Sequence, residues 1–401
     1  MPRHCTLLGV GVALFGVAVF VLRPHPIISV LDAVPLLHVA FYLALGALSA
    51  VLVFRRQPDI FVDPAGKAVL ITGCDTGFGY SLAQRLDEMG YQVFAGCLAP
   101  DREGALQLAS TSSQRLRVVP LDVTDDWQVQ QALTTVTQHC EEGALWAVIN
   151  NAGIATFTEI EWCSVDQFQR LLDVNVLGVV RVTKAFLPLL RQSCGRVINV
   201  ASLAGRFTIP AFAAYSMSKK ACIAFSDALR MEMKKFDVSV VTIEPGLYRT
   251  PITQEEYLIN SNRKSWAETP SAIKDDYGEE YFAAFLQNMT HQMKRARPNV
   301  HEVVDLMVTA VCVEKPRHRY VPYWRSYLRS LVLGNCPALV TDRIFQGMSV
   351  KVPPSAKTRN SKSSSSSTPK SATPVSATPS TPDRSVFSDT PKTVPNGQVT
   401  S

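Results

Sequence analysis

Between Ala68 and Met89 the chain passes from a short apolar run through a cluster of glycines into a helical pattern. No other stretch constrains the fold as much. Ala68-Val69-Leu70-Ile71 reads as a buried strand. Thr72-Gly73-Cys74-Asp75-Thr76-Gly77-Phe78-Gly79 follows, and Tyr80 to Met89 is helical in pattern. Glycine at 73 permits a tight turn. Glycines at 77 and 79 let the backbone and a helix N-terminus approach a pyrophosphate, which the helix dipole attracts. Glycine also marks ordinary strand-to-helix turns. The strand–turn–helix context makes a dinucleotide site the stronger reading, with Thr72, Gly73, Asp75, Gly77, Phe78 and Gly79 around it.

The alternation continues. Further strands are expected at Gln92 to Gly96, Leu116 to Leu121, Ala147 to Ile149, Arg196 to Val200 and Ser239 to Ile243. Val165 to Leu190 reads as a long helix broken near Gly178 and Pro188, and Tyr215 to Lys235 as another helix. Short apolar strands alternating with helices imply an α/β fold, a doubly wound parallel sheet covered on both faces. Ligands of such sheets bind outside the carboxyl ends of the strands. This domain is expected to span residues 57–350.

Both ends differ from the middle. Cys5 to Leu22 and Ala33 to Phe54 are apolar runs without Asp, Glu, Lys or Arg; His38 is the one possible charge, and neither run has a polar face. A helix needs about 20 apolar residues to cross a bilayer, so residues 1–56 are expected to be a membrane anchor of one or two transmembrane helices. Arg55-Arg56 after the second run favours a cytosolic position for the domain that follows. The endoplasmic reticulum is the expected membrane, with a mitochondrial location the alternative. Residues 351–401 hold five consecutive serines and repeated Thr-Pro, and are expected to be a disordered tail.

The net charge of +6 resides in these ends. Residues 1–56 contribute four basic residues against one acid, and residues 351–401 seven against two, leaving the middle at −2. Nothing there suggests a nucleic-acid partner. The seven histidines show no metal-ligand spacing, and no metal is expected.

Tyr215 and Lys219 are four residues apart on a helix and share one face. An ammonium beside a phenol favours the phenolate, which suits a general acid/base that moves an alcohol proton while hydride leaves the carbon. Ser202 stands just past the fifth strand, where its hydroxyl can hold the substrate oxygen.

Thr72-Gly-x-x-x-Gly-x-Gly79, Asn150-Asn-Ala-Gly153, Asn175, Ser202, Tyr215-x-x-x-Lys219 and Pro245-Gly246 occur in this order. Together they resemble the short-chain dehydrogenase/reductase family, which implies a Rossmann-type fold and a nicotinamide cofactor. The likeness spans roughly Lys67 to Thr250 and continues more weakly to about Phe345. It implies a catalytic set of Asn175, Ser202, Tyr215 and Lys219, with Asn175 holding a relay water and Lys219 also bonding the nicotinamide ribose. It implies cofactor contacts from the glycine loop, from Asp122 and Val123 beside the adenine, and from Asn150, Ala152, Gly153, Pro245, Gly246 and Thr250. It also implies pairing of two copies through the long helices around Asn175 and Tyr215, so a homodimer is the default.

Stretches such as Leu145-Trp-Ala-Val-Ile-Asn-Asn-Ala-Gly153 and Phe225-Ser-Asp-Ala-Leu-Arg-Met-Glu232 are similar to one subgroup. It contains retinol dehydrogenases, the type 2 17β- and 11β-hydroxysteroid dehydrogenases, and 3-hydroxybutyrate dehydrogenase. The expected reaction is therefore NAD-dependent oxidation of a small lipophilic alcohol, steroid or retinoid. Alternatives are 3-hydroxybutyrate oxidation and a catalytically idle membrane scaffold. Gly96-Cys97-Leu98 lacks the acid that often holds the cofactor ribose, and Asp101 and Arg102 follow nearby. Asp75 would repel the 2′-phosphate of NADP, so NAD is favoured over NADP.

Three features stay open in the sequence. Cys74 and Cys97 flank the loop as small packing residues. Tyr248, Tyr257, Trp266, Tyr277, Tyr281, Phe282 and Phe285 make 247–297 aromatic, as either a ligand cover or ordinary packing would. Trp324-Arg-Ser-Tyr-Leu-Arg329 alternates aromatic and basic residues, as a membrane-surface helix or a C-terminal packing helix does.

Overall fold

The computed structural model describes residues 40–41, 43–47, 60–141 and 144–355. Seven strands form one sheet: β1 (Ala68–Thr72), β2 (Gln92–Cys97), β3 (Leu116–Pro120), β4 (Leu145–Asn150), β5 (Arg196–Val200), β6 (Ser239–Ile243) and β7 (Arg319–Tyr320). Their order is β3-β2-β1-β4-β5-β6-β7, and every pairing is parallel. Strand order reverses between β1 and β4, which opens a crevice at their carboxyl ends.

Alternate residues of each strand feed two cores. Val69 and Ile71 of β1 pack on one face with α1 (Gly77–Glu88), α2 (Glu103–Thr111) and α10 (His301–Cys312). Ala68 and Leu70 pack on the other face with α3 (Asp126–His139), α5 (Val179–Gln192) and α6 (Ala213–Met233). Burial on both faces explains why these strands read as unbroken apolar runs.

Gly178 and Pro188 do not break the long helix. Helix α4 (Val165–Leu172) runs through a π-wound turn at Asp173–Gly178 directly into α5, and Pro188 lies inside α5. The π turn absorbs an extra residue without ending the helix. A Cβ on Gly178 would lie 2.6 Å from Val123 Cγ2, so glycine is required there by close packing.

A third apolar cluster caps one end of the sheet. It joins the segment after β4 to α7 (Glu255–Glu268), α8 (Ser271–Tyr277) and α9 (Glu279–Met293). Trp162 is its centre, meeting Trp266, Tyr277, Tyr281, Phe282 and Phe285 edge-on. Most of the aromatic residues between 247 and 297 are therefore packing residues. After β7 the described residues include α11 (Trp324–Leu333) and α12 (Ala338–Gln346).

Among the described residues, no helix is long and apolar enough to cross a membrane. Most of the two apolar runs, and the tail beyond Ser355, lie outside the described residues. Residues 40–41 and 43–47 of the second run are helical.

Arg196 is the largest fully buried side chain. Its Nη1 donates to the carbonyls of Ala310 and Val313 at 2.8 and 2.6 Å, and its guanidinium lies 4.1 Å from the Trp146 ring centroid. Burial lowers its pKa to about 10, which still leaves it cationic at neutral pH. Arg196→Met is expected to cost about 3 kcal/mol, because two buried carbonyls at the end of α10 lose a charged donor. Denaturant unfolding of both proteins checks this.

Candidate active site

The glycine loop joins β1 to α1. Gly73 and Gly77 have φ of +70° and +65°, where a side chain is strained. A Cβ on Gly79 would lie 2.3 Å from the Gly73 carbonyl oxygen, and one on Gly73 2.8 Å from Ala152 Cα. At Gly77 the nearest atom would be 3.8 Å away, so the loop is open in front of the α1 N-terminus. Backbone N–H groups and a helix N-terminus facing a hollow that side chains would fill suit a pyrophosphate.

The loop is stitched to the end of β4. Thr72 Oγ1 accepts from the N–H groups of Asn151 and Ala152 at 3.0 and 2.9 Å. The Asn151 amide donates to the carbonyls of Thr72 and Gly73 at 2.9 and 3.0 Å. Asn151 was not singled out in the sequence, where Asn150 was. Asn150 is buried, and its amide donates to Thr183 Oγ1 and Asn199 Oδ1, bracing the sheet from within.

Asn175 and Lys219 come near one another beside Gly153, with Tyr215 one helical turn before Lys219 and Ser202 on the loop after β5. Ser202 is extended at φ −169° and caps the short turn Leu203–Gly205. Its Oγ accepts from Ala204 N–H and donates to the Pro245 carbonyl at 3.3 Å. Tyr215 stands in the first turn of α6, partly exposed, with the Phe157 ring edge-on at 5.5 Å. Lys219, one turn later, is buried and donates from Nζ to the Val200 carbonyl at 2.9 Å. Its Nζ lies 5.8 Å from the Tyr215 ring centroid.

Asn175 sits in the π turn and is fully buried. Its amide donates to the Ile154 carbonyl and Ser218 Oγ, and its Oδ1 accepts from Ile154 N–H. A Cβ on Gly153 would lie 3.2 Å from Asn175 Oδ1 and 3.4 Å from Lys219 Nζ, so this glycine separates the two groups.

Asp75 reaches the end of β2 from inside the glycine loop. Its two oxygens accept from Leu98 N–H at 3.0 Å and Ala99 N–H at 2.9 Å. A carboxylate from the glycine loop thus stands at the end of β2. Asp101 and Arg102 are exposed. Asp122 Oδ1 accepts from the N–H and hydroxyl of Thr124, and Val123 is buried against Gly178. Burial, reinforced by Asp75, pushes the Cys97 thiol up to about 12, and Cys74 is raised by burial as well. Both are packed thiols.

Pro245 and Gly246 lead into a loop pinned by a parallel bridge between Tyr248 and Arg297. Thr250 N–H donates to Thr253 Oγ1, closing the turn Pro251–Thr253. Tyr248 donates to Glu302 and meets the Phe78 ring edge-on at 6.1 Å. One hollow adjoins this loop, and a second shares Met293 with it. One, about 380 Å³, is lined by Arg249, Thr250, Pro251 and Lys294 among others. The other, about 210 Å³, is lined by phenylalanine and methionine side chains such as Phe157, Phe212 and Met289, together with the polar Glu159, Asn288 and Gln292, and without lysine or arginine. Phe157 and Phe212 both also lie against the Tyr215 ring. No cluster of His, Cys, Asp or Glu that could hold a metal exists among the described residues.

The family model described as short chain dehydrogenase matches residues 67–259. A mitochondrial D-beta-hydroxybutyrate dehydrogenase of Rattus norvegicus is 39% identical over 73% of this chain and 87% of its own length. Retinol dehydrogenase 16 of Mus musculus is 38% identical over 78% and 98%. The 17-beta-hydroxysteroid dehydrogenase type 6 of Rattus norvegicus is 37% identical over 75% and 95%. A short chain dehydrogenase/reductase structure from Burkholderia phymatum in complex with NAD shares the fold, with a TM-score of 0.55 and 18% identity, covering 67% of this chain and 93% of that one.

Gly79→Ala is expected to abolish nucleotide binding, because its Cβ would meet backbone at 2.3 Å rather than a movable side chain. Thermal-shift titration with NAD checks this: the wild type is stabilised and the variant is not.

Proposed function

Because the chain belongs to the short-chain dehydrogenase/reductase family, and is an oxidoreductase, we propose that it oxidises a hydroxyl on a lipophilic substrate, steroid or retinoid, using NAD. The hollow lined by Phe157 and Phe212, the two rings that also meet Tyr215, carries this reading. Phenylalanine and methionine form much of its wall, which suits a largely apolar alcohol, and its one charged residue, Glu159, would repel a carboxylate.

Bound nicotinamide supplies the hydride acceptor. The residues of the chain supply the proton chemistry and the geometry. Tyr215 takes the hydroxyl proton as general base. Lys219, one helical turn away, places its Nζ 5.8 Å from the Tyr215 ring centroid, where it can stabilise charge that develops during proton transfer. Ser202 Oγ, already fixed by Ala204 and Pro245, turns its proton to the substrate oxygen. The Asn175 side chain is spent on Ile154 and Ser218, so it orders the segment after β4. A relay water to Lys219 would then sit on the π-wound backbone. Gly73, Gly77, Gly79 and Ala152 form the pyrophosphate cradle. Asp122, Val123, Gly153, Pro245, Gly246 and Thr250 complete the groove, and Phe78 and Asn150 support it.

Asp75 supports NAD over NADP. Its carboxylate is held by two N–H groups where β2 ends, next to the place of the adenosine ribose in such folds. A 2′-phosphate of about −1.5 to −2 charge would meet that carboxylate. On the same reading, residues 1–56 anchor the enzyme in the endoplasmic reticulum membrane with the catalytic domain cytosolic, and two copies pair through α4–α5 and α6.

Oxidation of 3-hydroxybutyrate is the second reading, favoured by the similarity to the rat enzyme of that name. It requires Arg249 and Lys294, at the 380 Å³ hollow, to hold the carboxylate. Lys294 already stands 4.0 Å from Glu255.

Membranes bearing the full chain are expected to reduce NAD with estradiol, testosterone or retinol, and not with 3-hydroxybutyrate. Tyr215→Phe is expected to remove this turnover while keeping NAD binding. Undiminished turnover in that variant would sink the mechanism, and turnover of 3-hydroxybutyrate alone would replace the substrate class. Asp75→Asn is expected to narrow the preference for NAD over NADP by about tenfold, read as the ratio of kcat/KM values.

A further inference from the structure

Helix α11 is packed with its polar side inward. At 3.6 residues per turn, Tyr327, Leu331, Trp324, Leu328 and Val332 fall within an arc of about 140°. That arc faces solvent: Trp324 is 66% exposed, Leu328 and Val332 52%, and Leu331 41%. The buried residue is Ser330, whose Oγ accepts from Arg319 Nη2 at 2.9 Å. Arg319 Nε in turn donates to the buried Glu244 at 2.7 Å. A helix that only closes the fold would bury the opposite face.

The neighbouring helix continues the surface. In α12, Leu339 is 84% exposed, Ile344 51% and Val340 44%. Arg325 and Arg329 border the apolar arc of α11, and Arg343 lies on α12, all exposed. Across residues 321–351 there are four basic residues (Arg325, Arg329, Arg343, Lys351) and one acid (Asp342).

We propose that α11 and α12 lie in the headgroup layer of an anionic bilayer. The apolar arc enters the acyl boundary and the arginines meet lipid phosphates. Tryptophan, tyrosine and leucine beside arginine are the residues that rest at such an interface. Two-fold pairing with a second copy fits less well, because it would set the same cationic patch against itself. The link to the membrane anchor proposed above is short. The second apolar run ends at Phe54 and the described domain starts at Ile60, a span of at most about 20 Å. The proposal uses none of the residues assigned to the cofactor or to proton transfer, and it holds whichever alcohol is oxidised.

Trp324 provides the readout, since neither apolar run contains tryptophan. The full chain and its Trp324→Phe variant are reconstituted in vesicles of brominated phosphatidylcholine, with and without phosphatidylserine. Their difference in fluorescence isolates Trp324. Quenching of that component is expected, stronger with phosphatidylserine and weakened by salt. Arg325→Glu with Arg329→Glu is expected to lower it about twofold or more while leaving NAD binding intact. Absence of Trp324 quenching in both vesicle types overturns the proposal. So does equal quenching with and without phosphatidylserine, which removes the anionic recognition. A Trp324 component that escapes the bromines but shifts with protein concentration assigns the face to a second copy and also overturns it.

Discussion

A parallel sheet leaves unpaired backbone groups at its carboxyl edge, where the ligand must sit and water is displaced. Side chains of β1 and β4 satisfy them here. Thr72 Oγ1 takes the N–H groups of Asn151 and Ala152, while the Asn151 amide takes the carbonyls of Thr72 and Gly73. These four bonds fix the distance between two loops, and a Cβ on Gly73 would lie only 2.8 Å from Ala152 Cα. The cradle at Gly73 and Gly79, the position of Gly153 and the place of Asn175 all depend on that spacing. An unpaired buried carbonyl costs about 1–3 kcal/mol, so the stitching stabilises the loop in one shape before any ligand arrives.

A second set of bonds holds the other side of the crevice. Glu244 is fully buried at the end of β6, and its carboxylate accepts from Arg206, Arg319 and Thr242. Arg206 follows the turn that Ser202 caps, and Arg319 begins β7. One buried charge thus ties the serine loop, β6, β7 and, through Ser330, α11 into one piece. Removing either arginine would leave that carboxylate short of a partner, the costly case for a buried ion pair.

What the sequence made legible was local chemistry. The glycine loop and the Tyr215–Lys219 pair are set by spacing along one element, and the alternation of strand and helix predicts the sheet. Contacts between elements were less visible. Asn150 and Asn151 are neighbours, yet the strand's alternation sends one amide inward and the other to the glycine loop. Asp75 reads as a loop residue until the end of β2 is beside it. Gly178 and Pro188 look like helix breakers because propensity is local, whereas packing against Val123 and a π turn carry the helix through. Strand β7 has only two residues and leaves no periodic signal.

Helix α11 shows why periodicity alone leaves a face unassigned. Its pattern is amphipathic in either setting, and the pattern does not say which side meets the domain. The deciding fact is remote in sequence: Arg319 needs a further acceptor beyond Glu244, and Ser330 provides it. Once that polar contact fixes the rotation of the helix, Trp324, Leu328, Leu331 and Val332 must point outward. The network that braces the serine loop thereby also sets the orientation of an exposed apolar face. Both the chemistry of the crevice and the surface at α11 follow from where one buried carboxylate finds its partners.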